Sequence, residues 1–483
     1  MRRWTRLPAA ALCLALLGSC QVAPGTGRQG FNIMSSEQEQ QMGADSHPAI
    51  LKEFGGAYDD PKVQAYVAGI GQRLVKQTET PEATFRFTVL NSDIVNAMAL
   101  PGGYVYVTRG LLALAADEAE LAGVVGHEIG HVTGRHTAER YSRAVAANVL
   151  LGVLGAVVGT PGVADVAQLG AAAYLQSYSR DQESEADSLG LRYMTKAGWD
   201  PEAMPAFLEK LHQQSRLEAI LAGRPADSVD QYNMMASHPR TIDRVQAAAQ
   251  EAQAAHTKGA MGRDLYLAQI EGLTYGDDPS EGVVRNRVFS HPDLGIRFEV
   301  PPGFRLVNGA KAVTATHQDG SQIRFDMGSG AKAGMAAYMQ YQWAKGIRLS
   351  NIETIDVGGH EAATASARVN TNHGAMDLRL VAIAGGGGRA WRFMFLTPPN
   401  RTAGHDEELR RATYSFRSLT PEERAAIRPL RVHVVTVKPG DTVEGLAERM
   451  PFEHHRLERF QVLNGLEPGQ QLKPGQKIKL VVG

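Results

Sequence analysis

The run His127-Glu128-Ile129-Gly130-His131 sets two imidazoles four residues apart, with a carboxylate beside the first. On an α-helix, residues four apart share a face, so both rings reach one ion, and this donor pair suits zinc. Glu128 then lies next to a ligand without being one. From there it can contact a metal-bound water, whose pKa the ion lowers towards neutrality, and accept its proton as the water attacks a peptide carbonyl. A catalytic zinc needs a third protein ligand and one open position. His136 is nearby, but if the helix simply continues it sits nine residues after His127, roughly 180° around the axis, and points away. Downstream, Glu183-Ser184-Glu185-Ala186-Asp187 puts Glu183 and Asp187 on one helical face while Glu185 points elsewhere. Glu183 could be the third ligand and Asp187 the acceptor that holds a ligand histidine's other nitrogen; a solvated acidic helix start would carry the same residues.

These residues need a scaffold, and the chain of 483 residues is long enough for two to four domains. Hydrophobic content of 43% and charged content of 21% place it among globular proteins. With a formal charge of −1 and no basic stripe, nothing suggests a nucleic-acid partner. Residues 46–275 read as mainly helical. One exception is Tyr104-Val105-Tyr106-Val107-Thr108, a strand entered through the turn Pro101-Gly102-Gly103. Residues 111–143 then have helical periodicity, with Asp117 and Glu120 spaced as a capping box. Two apolar stretches, 145–158 and 163–175, are each too short to span a bilayer and read as buried helices, with a hairpin dipping into the membrane surface as the alternative that length leaves open. Residues 283–420 carry short β-like runs and one helical stretch, an α+β domain to which no chemistry attaches. Within it, Gly385 to Gly388 reads as a hairpin turn, because no Lys-Ser or Lys-Thr follows to make a phosphate loop.

Several separated motifs carry a family resemblance. The run Asn96-Ala97-Met98-Ala99-Leu100-Pro101-Gly102-Gly103, then Gly110-Leu111-Leu112, Glu118-Ala119-Glu120-Leu121-Ala122 and the His127–His131 motif resemble the HtpX and BepA-like zinc metallopeptidases, relatives of the CAAX prenyl proteases. The resemblance implies a mainly helical zincin domain of the gluzincin kind holding one Zn2+ per chain. His127, His131 and Glu183 would be its ligands, Glu128 the general base and Asp187 their support. It further implies that His238, before Pro239, and Arg244 face the cleft, stabilising an oxyanion or, for the histidine, capping the zinc in a latent state. Asn96 would bind substrate backbone, and Tyr104 and Tyr106 lie on the strand expected to extend that edge, so that a substrate peptide adds as a further strand.

The two ends complete the expected α+β multidomain architecture. Residues 430–483, with His433-Val434-Val435-Thr436-Val437-Lys438-Pro439-Gly440-Asp441-Thr442 and Asn464-Gly465-Leu466, resemble a small βααβ LysM module, which implies peptidoglycan as a partner. Arg2, Arg3, Arg6 and the short apolar run 9–17 read as a signal peptide over 1–19, ending in Leu17-Gly18-Ser19-Cys20, which resembles the bacterial lipobox. Cys20 would then carry lipid and 20–45 would be a tether. Gln21 after the cysteine favours the periplasmic face of the outer membrane. The function implied is degradation of damaged or misassembled envelope proteins. The rivals are a peptidoglycan-tethered chaperone or scaffold with a latent zinc site, and a cell-wall hydrolase.

Overall fold

The computed structural model describes residues 20–143, 145, 178–226, 238, 242–309, 311–331, 334–371 and 374–483. The signal segment and, but for Val145, the two apolar stretches lie outside the described residues. Among the described residues no helix is long and apolar enough to cross a membrane.

The region expected to be a tether is folded. Strands β1 (Cys20–Val22) and β2 (Gln29–Phe31) pair antiparallel, and α1 (Ser36–Glu53) starts at a complete capping box between Ser35 and Gln38. Arg28 bridges Glu139 and Glu185, and Asn32 accepts a hydrogen bond from Ser142, so this segment is fastened to the helices that carry the site. A tether should be polar and free of partners; here the polar groups are the fastenings.

Helix α2 (Pro61–Val75), capped by Asp60, leads to three short strands, β3 (Arg86–Leu90), β4 (Ala97–Leu100) and β5 (Tyr104–Thr108). Their order is β3-β5-β4, with β5 parallel to β3 and antiparallel to β4. Tyr104–Thr108 is therefore the central strand, with both backbone edges occupied, and cannot extend an edge to a substrate; that expectation is corrected. The run is rich in β-formers because it is enclosed. The outer strands of this sheet are β3 and β4.

The helical reading of 111–143 breaks into three. α3 (Arg109–Leu114) ends at Ala115, and α4 (Glu118–Thr133) restarts where Asp117 accepts the Glu120 amide. Glu120 completes half a capping box only: its carboxylate takes the Ala116 amide and pairs with Lys210 instead. α4 stops at Gly134, Arg135 turns through a left-handed φ of 56°, and helix resumes over 136–143. Such a φ is strained for arginine, and its guanidinium is held by Glu39 and the Met34 carbonyl, both from the N-terminal segment. Helices α5 (Arg180–Lys196), α6 (Ala203–Leu221), α7 (Ile242–Ala254) and α8 (Arg263–Ile270) complete this domain around one apolar core.

The middle region is antiparallel. Strands β6 (Thr274–Tyr275), β7 (Val283–Arg285), β8 (Val288–His291) and β9 (Ile296–Glu299) are followed by β10 (Arg305–Gly309), β11 (Ala312–Thr316) and β12 (Gln322–Ser329). A short helix α9 (Met335–Tyr338), prolonged by one π-turn over Met339–Trp343, stands where the sequence suggests a longer helix. Then come β13 (Ser350–Val357), β14 (His360–Thr371), β15 (Gly374–Gly385), β16 (Arg389–Thr397), α10 (Thr402–Tyr414) and β17 (Arg417–Ser418). The main sheet runs β10-β11-β12-β16-β15-β14-β13, and Gly386 to Gly388 form the turn between β15 and β16.

The last module is βααβ: β18 (Leu430–Thr436), α11 (Val443–Ala447), α12 (Arg456–Asn464) and β19 (Lys477–Val482). It is docked rather than free. β18 pairs with β6 as well as β19, and Val432 and Val462 join the core of the helical domain. Lys479, fully buried, sends its ammonium to the carbonyls of Ala113, Leu114 and Ala115 at 2.6, 3.0 and 2.7 Å. These are orphan carbonyls of the last turn of α3, which a helix cannot satisfy itself. Lys479→Met keeps the stem and removes the donor, so we expect a loss of about 2–4 kcal/mol of stability. Chemical unfolding checks it; an unchanged transition would mean water replaces the ammonium.

Candidate metal centre

Nearly every residue of α4 is buried, the mark of a helix enclosed on all sides. α5 lies close against it because both present glycine. A Cβ on Gly190 would come 2.7 Å from the His127 nitrogen, and one on Gly130 3.0 Å from the Ala186 carbonyl. That approach carries the first turns of α5, with Glu183 and Asp187, onto the histidine face of α4.

Four side chains converge there. His127 Nε2 lies 3.0 Å from His131 Nε2 and 3.3 Å from His238 Nδ1. Glu183 Oε1 is 3.0 Å from His238 Nδ1 and 3.6 Å from His131 Nε2, and Glu183 Oε2 is 3.7 Å from His127 Nε2. The donor atoms of all four lie within 4.8 Å of one another. A zinc tetrahedron with bonds near 2.0–2.1 Å has edges of about 3.4 Å, so the donor set and its spacing fit that ion. Three ring nitrogens aimed at one point repel unless a cation lies between them.

The surroundings set the rings. His127 Nδ1 stands 2.9 Å from Asp187 Oδ1, which leaves Nε2 for the centre. Burial pushes the Asp187 carboxyl up, but hydrogen bonds from His127 and Arg244 hold it down at about 2. Arg244 Nε and Nη2 donate to the two Asp187 oxygens at 2.7 and 2.8 Å, and its Nη1 is 2.7 Å from Glu183 Oε2. Arg244 is thus committed to two carboxylates, and the expectation that it faces an oxyanion is revised to a positioning role. Both oxygens of Glu128 are buried and without hydrogen bonds, Oε1 3.5 Å from His238 Nε2, and burial raises its carboxyl above the usual range.

His136 is the residue that spacing missed. The left-handed Arg135 returns the chain, and His136 Nδ1 meets His131 Nδ1 at 2.8 Å, with His136 Nε2 3.5 Å from Glu185. Tyr178 also escaped notice; its ring stacks on His131 at 3.7 Å. No local signal marks either.

The substrate-side expectations divide. Along β5, Val105 and Val107 face the main core, so Tyr104 and Tyr106 face the other way, onto α1. Tyr106 is buried with its hydroxyl 2.7 Å from His47 Nδ1, and Tyr104 packs on the same ring. Neither is brought to the cluster. Asn96 lies at the start of β4, its backbone paired with Thr108, its Oδ1 buried and unpartnered. A cavity of about 30 Å³ between α4 and α6 opens beside His127, His238 and Arg244, with Met204, Phe207 and Leu211 as apolar walls.

Residues 61–252 match Peptidase family M48, and residues 435–481 match the LysM domain. The "Beta-barrel assembly-enhancing protease" of Yersinia pestis is 31% identical over 252 residues, 48% of this chain and 52% of that protein. Its namesake in Escherichia coli (strain K12) is 30% identical over 269 residues, covering 54% and 53%. The "Mitochondrial metalloendopeptidase OMA1" of Schizosaccharomyces pombe is 29% identical over 197 residues, covering 40% and 57%. The chain spans about half the length of the curated relatives it matches. The two family matches thus fall on the helical domain that carries the donor cluster and on the βααβ module at the end of the chain.

Proposed function

We propose that the chain is a zinc-dependent metalloendopeptidase of the bacterial envelope, acting on damaged or misassembled envelope proteins. The observation that carries the reading is the convergence of His127, His131 and Glu183, with the unpartnered Glu128 carboxylate beside them. Zinc bound there would polarise a water and the scissile carbonyl. Glu128 accepts that water's proton and returns it to the leaving amine. Asp187 fixes the His127 tautomer, Arg244 holds Asp187 and Glu183 in place, and Asn96 offers a carbonyl oxygen to a substrate amide. The LysM module would bind peptidoglycan, and Cys20 would carry a lipid anchor on the periplasmic side of the outer membrane.

A second reading has an observation of its own. His238 supplies a fourth donor, and zinc with four protein ligands has no place for water. On that reading the chain is a peptidoglycan-tethered scaffold or chaperone whose zinc site is closed. Incubating the protein with an unfolded substrate such as casein tests the first reading. Cleavage that a chelator abolishes and zinc restores is expected; cleavage indifferent to chelation would sink it.

A further inference from the structure

The middle domain, which takes no part in the peptidase chemistry, gathers two histidines and an aspartate from separate elements. His317 and Asp319 lie in the turn between β11 and β12, and His405 in the first turn of α10. His317 Nδ1 is 2.8 Å from Asp319 Oδ1, and His405 Nε2 is 2.7 Å from Asp319 Oδ2. Their donor atoms lie within 4.8 Å of one another.

Hydrogen bonding alone leaves this trio unbalanced. The Asp319 amide points at His317 Nδ1 at 3.3 Å, and a ring nitrogen that accepts that proton has none to give the carboxylate 2.8 Å away. A ring nitrogen that kept its proton for the carboxylate would instead turn a donor against the amide. A cation shared by His317 Nδ1, the Asp319 carboxylate and His405 Nε2 needs no proton on either ring nitrogen; it takes the lone pair the 3.3 Å amide contact would use, and the 2.8 and 2.7 Å spacings open to the edges of about 3.4 Å that zinc requires. Two further atoms point the same way. His405 Nδ1 is buried without a hydrogen bond and looks toward Glu408 Oε2 at 3.6 Å, the outer carboxylate that metal-ligating histidines commonly have. Ser321, whose amide donates to Asp319 Oδ1, is fully buried and its hydroxyl oxygen has no partner. Phe304 floors the site, its ring 5.2 Å from His317 and 5.6 Å from His405, while the three ligand side chains stay partly open to solvent.

We infer that His317, Asp319 and His405 form a second metal site, for a divalent transition ion of the zinc class, that fastens the β11–β12 turn to α10. Two imidazoles and one carboxylate suit Zn2+, Ni2+ or Cu2+ rather than Mg2+ or Ca2+. Three protein ligands leave positions for water, so the ion exchanges more readily than one enclosed by four. The rival is a hydrogen-bonded His-Asp-His clasp with no metal, and it differs in one measurable number, the zinc count.

Equilibrium dialysis of the full chain against buffered Zn2+, after removal of metal by a chelator, supplies that count. Two zinc ions per chain are expected in the unmodified protein. One is expected in His317→Ala/His405→Ala and one in Asp319→Asn, which keeps the side chain's shape if the double alanine fails to fold. Casein cleavage should be unchanged in both. His131→Ala should lose the other ion and keep this one, so failure of the peptidase reading and failure of the second site give different counts. A single ion in the unmodified chain that persists in Asp319→Asn, or two ions in every middle-domain variant, would overturn the inference.

Discussion

Replacing Glu128 by glutamine is expected to cut peptide hydrolysis by at least about 10³-fold while leaving zinc content unchanged. Glu128 is fully buried, neither of its oxygens is bonded, and it is not among the four converging donors. Glutamine has the same shape and cannot take a proton, so the substitution separates proton transfer from metal binding and packing. Burial raises the Glu128 carboxyl above the usual range, the direction that makes a carboxylate a stronger base. Glutamine keeps the shape of a buried carboxylate whose oxygens make no hydrogen bond, so a melting temperature close to that of the unmodified protein is part of the expected result. Two outcomes would contradict the assignment. Retained turnover would place the base elsewhere, and loss of zinc would make Glu128 a ligand.

How far the sequence can be read depends on the distance over which each interaction acts. His127 and His131 are four apart on one helix, and Glu183 and Asp187 repeat that spacing, so periodicity alone puts each pair on a face. Joining the two faces needs the glycines at 126, 130 and 190, whose meaning appears only when α4 and α5 are side by side. His136 is harder. Its place depends on a left-handed turn at Arg135, which depends in turn on Glu39, nearly a hundred residues earlier. Tyr104 and Tyr106 show the complementary failure: a β-rich run announces a strand, but its position in the sheet is set by pairings with β3 and β4. The βααβ tail was legible from its turn residues. Its attachment was not, because Lys479 on a strand next to Ile478 and Leu480 gives no sign that it will cap α3.

The His238→Ala variant is expected to cleave casein at least about tenfold faster than the unmodified chain, with zinc retained. A tetrahedral ion with three protein ligands holds a water; with a fourth protein ligand it holds none. In this structure His238 Nδ1 stands 3.3 Å from His127 Nε2 and 3.0 Å from Glu183 Oε1, inside the donor cluster, while its Nε2 faces Glu128. With zinc bound, the one histidine would take the position a water needs and crowd the base that would deprotonate it. If the closed arrangement is favoured tenfold or more, activity is divided by that factor, and alanine returns it. A zinc spectrum should change in step, from four protein ligands to three with water. A fall of about 10²-fold instead would mean that His238 stabilises the transition state and that its place among the donors is the resting form of a catalytic group. No cleavage by either the unmodified chain or His238→Ala, with zinc bound in each, would leave the scaffold reading in front, because the site would then be closed by something other than His238.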